Sequence, residues 1–226
     1  MYEMSIADNL LRIKNTLPEN VKLIAVSKTK PESAILEAFN AGQLCFGENK
    51  VQEMSAKYER LPKEIEWHFI GHLQTNKVKF IAPFVSLIHS VDSMKLLKTI
   101  NGEAGRCNRV ISCLLQFHIA QEDSKFGLSL DNAEKMLTSD EFKSMQNIQI
   151  AGVMGMATFT DDTGRIANEF DILFQIFRDL KARFFPENDN FREISMGMSD
   201  DYPIAVAKGS TMVRIGSSIF GSRIYQ

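Results

Sequence analysis

Eight short apolar runs, each followed by a helix-like stretch, constrain this chain more than any other feature. They are "KLIAVS", "QLCFG", "EWHFIG", "SLIHSV", "RVISCLLQFHI", "IQIAGVMGM", "FREISMG" and "TMVRIG". Their apolar residues do not alternate strictly, which suits parallel strands covered on both faces. "PESAILEAFNAG" opens with Pro31 and closes with Gly42, the usual asymmetry of helix ends. "SMKLLKTINGEAG" and "DNAEKMLTSDEF" read the same way. In "NEFDILFQIFRDLKARF", Phe170, Leu173, Phe174 and Phe177 recur at i, i+3, i+4 and i+7, one buried stripe of a long helix. No linker or low-complexity tract divides the run. The alternation predicts an α/β fold, a single (β/α)8 TIM barrel over residues 1–226, preceded by a helix at residues 2–16. A doubly wound open sheet is the alternative, but no GxGxxG turn follows the first strand.

Composition narrows the function classes. The net charge of -2 makes no electrostatic case for nucleic acid or an anionic membrane. The N-terminus is amphipathic and has no signal-peptide pattern, and no run approaches the roughly 18 apolar residues of a membrane span. Cys45, Cys107 and Cys113 are odd in number and form no CxxC pair, so reduced cysteines in a cytoplasmic protein are expected, without a metal site.

In a barrel, chemistry sits at the C-terminal ends of the strands. The first strand runs into Lys28 and Lys30, the seventh into "SMGMSDD" and the eighth into "RIGSSIFG". Glycine lets backbone N–H groups approach an anion, serine adds donors, and a helix start adds a favourable dipole. Paired loops of this kind after strands seven and eight suit a phosphate; ordinary turn glycines and cap serines are the plainer reading. A lysine after an apolar strand, facing such a site, can attack an aldehyde. Pyridoxal 5′-phosphate satisfies both features. Arg214 keeps its proton, and facing a pyridine nitrogen it holds that nitrogen unprotonated, which weakens the ring as an electron sink. A barrel-end ion pair is the alternative for Arg214. His68, after Trp67, reads by default as a satisfied core histidine. Alternation gives Lys28 and Lys30 the same facing, so spacing does not choose between them.

The motifs "AVSKTKP", "FGENKVQE", "WHFIGHLQTNK", "HSVDS", "SKFG", "MGMAT", "SMGMSDD" and "GSTMVRIGSSIFGSR" span residues 25–223 in order. They resemble the pyridoxal phosphate homeostasis proteins, the YggS/PROSC group, related to the N-terminal barrel of alanine racemase. The resemblance implies a fold-type III barrel that binds pyridoxal phosphate as an aldimine on Lys28. It implies that Arg214 contacts the pyridine nitrogen and that Ser195, Ser199, Gly216 and Ser217 lie in the phosphate-holding loops. Asn49 and His68 match residues near the cofactor ring, and Lys30 matches a second family lysine. His118 is a departure, because many members carry asparagine there.

The resemblance further implies a cytoplasmic monomer that carries or buffers the cofactor and influences amino- and keto-acid pools. Cofactor-requiring apo-enzymes are candidate partners, and robust turnover is not expected. Alanine racemases complete their sites with a tyrosine from a further domain, and the eight units here use up the chain to Gln226, with Tyr225 a poor substitute. An active pyridoxal enzyme such as a racemase is the first alternative. A Schiff-base aldolase acting on a sugar phosphate, using the same lysine and loops, is the second.

Overall fold

The computed structural model describes residues 4–120 and 126–221. Ser124 and Lys125 of the "SKFG" motif, with Ser222, Arg223 and Tyr225, lie outside the described residues. All eight apolar runs form strands: β1 (Lys22–Val26), β2 (Cys45–Glu48), β3 (Glu66–Phe69), β4 (Leu87–Val91), β5 (Ile111–Gln116), β6 (Ile148–Met154), β7 (Glu193–Ser195) and β8 (Met212–Ile215). Each pairs in parallel with the next, and β1 pairs with β8, so the sheet closes into a barrel. The open-sheet alternative is thereby excluded.

The four quoted stretches carry helices, the N-terminal helix is shorter than residues 2–16, and further helices complete the ring. The helices are α1 (Ile6–Lys14), α2 (Glu32–Asn40), α3 (Val51–Arg60), α4 (Val78–Ile81), α5 (Met94–Arg106), α6 (Leu130–Thr138), α7 (Asp140–Lys143), α8 (Thr163–Phe184), α9 (Tyr202–Ala207) and α10 (Ser217–Phe220). Ser5 and Asp8 form a capping box that starts α1. Ser93 caps α5 through the Leu96 amide. "DNAEKMLTSDEF" divides into α6 and α7 because Ser139, in an extended conformation, caps the second helix through Phe142. The stripe on α8 buries Phe170 and Leu173 fully, while Phe174 and Phe177 are partly buried.

Strand alternation divides the apolar residues into two cores. Trp67 and Phe69 of β3 and Val213 and Ile215 of β8 face the helix ring and join the main core. Leu87, Leu114, Ala151, Met154 and Met212 face the barrel axis and form a smaller cluster of their own. Ala151 and Met154 are three residues apart yet share this inner side, because β6 carries a bulge. Cys113 pairs with Ile150, and the next pair is Leu114 with Gly152. Gly152 takes φ +151°, and a Cβ there would lie 1.8 Å from the Glu193 carbonyl oxygen. Gly152→Ala is therefore expected to lower stability by about 3 kcal/mol or more, through backbone strain and overpacking. Urea denaturation measures this, and an unchanged midpoint would contradict the account.

Candidate functional site

At the C-terminal rim, the loop after β1 and the loops after β7 and β8 enclose a cavity of about 200 Å³. Its wall includes Val26, Lys28, Lys30, Ser199, Arg214, Gly216 and Ser217. Barrel closure brings these loops together: Ala25 pairs with Ile215, so the residues that follow each strand emerge side by side. Gly216 permits the approach, since a Cβ there would stand 3.2 Å from the Val26 carbonyl oxygen. Ser199 Oγ accepts a hydrogen bond from the Gly216 amide at 3.3 Å, joining the two loops. Asp201 Oδ1 accepts from the Met198 amide at 2.5 Å and holds the preceding turn. Gly197, at φ +93°, makes that turn, and a Cβ there would come within 2.6 Å of Ala205. The first turn of α10 starts at Ser217 and leaves its leading amides unused by the helix.

The geometry separates the two lysines that spacing left equivalent. Lys30 Nζ donates to the carbonyl oxygens of Phe220 and Gly221 at 2.8 and 3.0 Å, at the C-terminal end of α10. Lys28 is half-buried in the cavity wall, two residues beyond the end of β1. Its backbone is held from outside the barrel. Thr29 takes the left-handed conformation, φ 64°, and its amide donates to Glu53 Oε1 at 2.6 Å. Glu53 is 2.7 Å from Lys57 Nζ, which also reaches Glu48 at 2.7 Å and the Ser27 carbonyl at 2.9 Å. Ser27 Oγ donates to Glu48 at 2.6 Å. Glu48 is fully buried; burial pushes its pKa up, and Lys57 opposes that shift. Alternation would have shown Ser27 and Glu48 facing outward, but no spacing rule brings Lys57 to them from α3.

Arg214 is 4 % exposed and forms the inner wall. Its Nη1 donates to the Ser195 carbonyl and hydroxyl oxygens at 2.8 and 2.6 Å, and its Nη2 to the Gly155 carbonyl at 3.0 Å. Burial lowers its pKa to about 10, so the guanidinium stays charged at neutral pH. Among the described residues no carboxylate lies within ion-pair distance of it, and the ion-pair alternative for Arg214 falls.

Neither Ser195 nor His68 lines the rim cavity, and His68 takes its default reading. Ser195 Oγ is buried between Arg214 and His89 Nδ1, 2.9 Å away. His68 is a satisfied core histidine, its Nδ1 3.0 Å from His89 Nε2. It lines a second cavity of about 210 Å³ at the opposite mouth, with Lys22 and Glu66. Asn49 follows β2 on the C-terminal rim, its backbone packed against Gly71. His118 is exposed beyond β5. Val26, Ile70, Phe159, Met198, Asp200 and Gly221 also line the rim cavity and were not singled out from sequence; alternation from Lys28 and His68 points to Val26 and Ile70.

Residues 3–224 match the family model described as "Alanine racemase, N-terminal domain". The chain is 39% identical to the pyridoxal phosphate homeostasis protein of Haemophilus influenzae over 216 residues, covering 94% of this chain and 89% of that one. It is 35% identical to the protein of the same name from Escherichia coli, with 97% of both chains covered. The chain belongs to the pyridoxal phosphate homeostasis protein family. Among solved structures, PipY of Synechococcus elongatus with PLP bound matches this homeostasis-family barrel at TM-score 0.86 and 35% identity, covering 96% of this chain and all of the other. An alanine racemase of Clostridium difficile matches at TM-score 0.76 and 12% identity, a likeness of fold alone.

Two predictions follow from buried charge. Lys57→Met leaves Glu48 buried beside an uncompensated Glu53 and is expected to cost about 3–5 kcal/mol, read by chemical denaturation. A loss below about 1 kcal/mol, the worth of an exposed pair, would contradict this. The histidines give the second. Burial holds His68 down to about 3 and His89 well below the ordinary imidazole value. Above about pH 6.5 both are neutral whether folded or unfolded. Below it the unfolded chain takes up protons that the folded barrel refuses. Stability therefore falls as pH drops, by up to about 1.4 kcal/mol per pH unit for each histidine. Urea unfolding between about pH 7 and 5 should show the slope, and His68→Leu should reduce it.

Proposed function

We propose that this chain, as a single barrel domain, holds pyridoxal 5′-phosphate in the rim cavity and acts in its homeostasis as a carrier or buffer. The observation that carries the reading is the meeting, in one cavity, of Lys28, Arg214 and the loops bearing Ser199, Gly216 and Ser217. The donor set fits the cofactor. The close approach at Gly216, the Ser199 hydroxyl and the leading amides of α10 suit a phosphate. The buried, charged Arg214 suits an unprotonated pyridine nitrogen, since a guanidinium only donates. When bound, the cofactor supplies an aldehyde carbon that the Lys28 amine can attack. Thr29 and Glu53 hold the backbone that carries this amine, and Lys30 anchors the same loop to α10. Relatives named for pyridoxal phosphate homeostasis, and PipY with PLP bound, support the reading.

A storage role without robust turnover suits the same lining. Racemisation needs an acid or base on each face of the substrate carbon. Among the described residues the cavity wall holds no tyrosine and no histidine; Asp200 is its one carboxylate, and one of its two lysines is tied to α10. We place the protein in the cytoplasm as a monomer, able to hand the cofactor to apo-enzymes that require it. No helix among the described residues is long and apolar enough to cross a membrane.

Mixing the purified apo-protein with pyridoxal phosphate should produce an absorbance band near the visible edge, and Lys28→Ala should abolish it. A protein that takes up no cofactor would sink the proposal. Rapid conversion of a single-enantiomer amino acid by the loaded protein would replace the carrier reading with a racemase. Borohydride trapping of a sugar phosphate by the unloaded protein would favour the aldolase.

A further inference from the structure

A line of four side chains crosses the barrel interior from the rim cavity to the opposite mouth. Arg214 Nη1 lies 2.6 Å from Ser195 Oγ, which lies 2.9 Å from His89 Nδ1, and His89 Nε2 lies 3.0 Å from His68 Nδ1. All four residues are buried. The chain has a direction, and Arg214 sets it. A guanidinium can only donate, so Ser195 Oγ accepts from it and turns its own proton to His89 Nδ1. His89 then carries its proton on Nε2 and gives it to His68 Nδ1. His68 in turn carries its proton on Nε2. Run the other way, Ser195 accepts from both sides and its hydroxyl proton has no acceptor among the described residues, an arrangement that burial penalises.

We propose that His89 and His68 are positioning residues for Arg214. Acting through Ser195, they hold the guanidinium at the inner wall of the rim cavity, where it keeps the ring nitrogen of bound pyridoxal phosphate unprotonated. The inference rests on the cofactor reading above. Neutral imidazoles suit the role, because a charged ring would donate from both nitrogens and repel the guanidinium. The same direction decides against a different use of His68. Cys45, Glu66 and His68 place possible metal-ligand atoms within 4.8 Å of one another. A metal there needs the lone pair that the relay covers with a proton on His68 Nε2, and Lys22 adds an ammonium to the same cavity. The cluster therefore serves as the polar end of the relay.

The test uses the full chain as wild type, His89→Leu and His89→Gln. In unloaded wild-type protein, nitrogen-15 NMR at neutral pH should show both buried histidines as the neutral Nε2–H tautomer. Titrated with pyridoxal phosphate, His89→Leu should bind about tenfold more weakly, the upper end of what one hydrogen bond between neutral groups contributes, with a displaced absorbance band. His89→Gln should restore the wild-type band and bring affinity to within about threefold, because its amide can both accept from Ser195 and donate to His68. An Nδ1–H tautomer at either histidine overturns the proposal. So does a His89→Leu protein with wild-type affinity and band, or a folded His89→Gln protein as weak as the leucine variant. If His89→Leu does not fold, the wild-type tautomers and the glutamine variant decide. Wild-type protein that develops no band removes the cofactor reading and the relay's purpose with it; uptake indifferent to His89 removes the relay alone.

Discussion

The ladder between β1 and β8 is the constraint on which the site depends. Lys22, Leu23, Ile24 and Ala25 pair with Met212, Val213, Arg214 and Ile215, joining the first strand of the barrel to its last. Parallel pairing aligns the two C-terminal ends, so the loop carrying Lys28 and the loop carrying Gly216 and Ser217 open on the same rim. Residues nearly two hundred positions apart in sequence thereby share one cavity of about 200 Å³. The approach is close enough that Gly216 has little room for a side chain. The Lys30 bonds to the end of α10 tie the same two loops a second time.

Closure also obliges the barrel to house polar groups. Strand alternation sends one side chain in two toward the barrel axis, and here the buried inward residues include His68, His89, Ser195 and Arg214. Each buried polar group needs a partner or is costly. His68, His89, Ser195 and Arg214 answer by bonding to one another in a line. On the outward side of the barrel, Ser27, Glu48 and Lys57 answer by forming a compact charged network. Both arrangements are brittle in the same sense: removing one member strands the others in a medium that does not solvate them.

Much of this was legible in the residues. The eight apolar runs became the eight strands, since continuous burial on two faces leaves a pattern that turns and caps delimit. The Pro31 to Gly42 helix and the long α8 were legible for the same reason. Within the candidate site, Lys28, Ser199, Arg214, Gly216 and Ser217 line one cavity, because each follows or ends a strand whose direction is known. Ser195 and His68 were legible as inward or buried residues but not by their partners. His89 and Lys57 were missed as members of the site's support: their distances to Ser195 and to Glu48 are set by how strands and helices pack, which local pattern does not encode.

By itself, the sequence determined the order of elements, the facing of each strand residue and the chemistry available at the rim, because these follow from periodicity and side-chain type. Alternation points Lys28 and Lys30 the same way, and the resemblance of the surrounding motifs, not spacing, assigned the aldimine to Lys28. Only the tertiary structure shows what Lys30 does: both lysines line the cavity, and the α10 carbonyls lie within reach of Lys30. The same holds for the relay behind Arg214. Its members are ordinary residues at four unrelated positions, and it exists only because the closed barrel brings four strands around one axis.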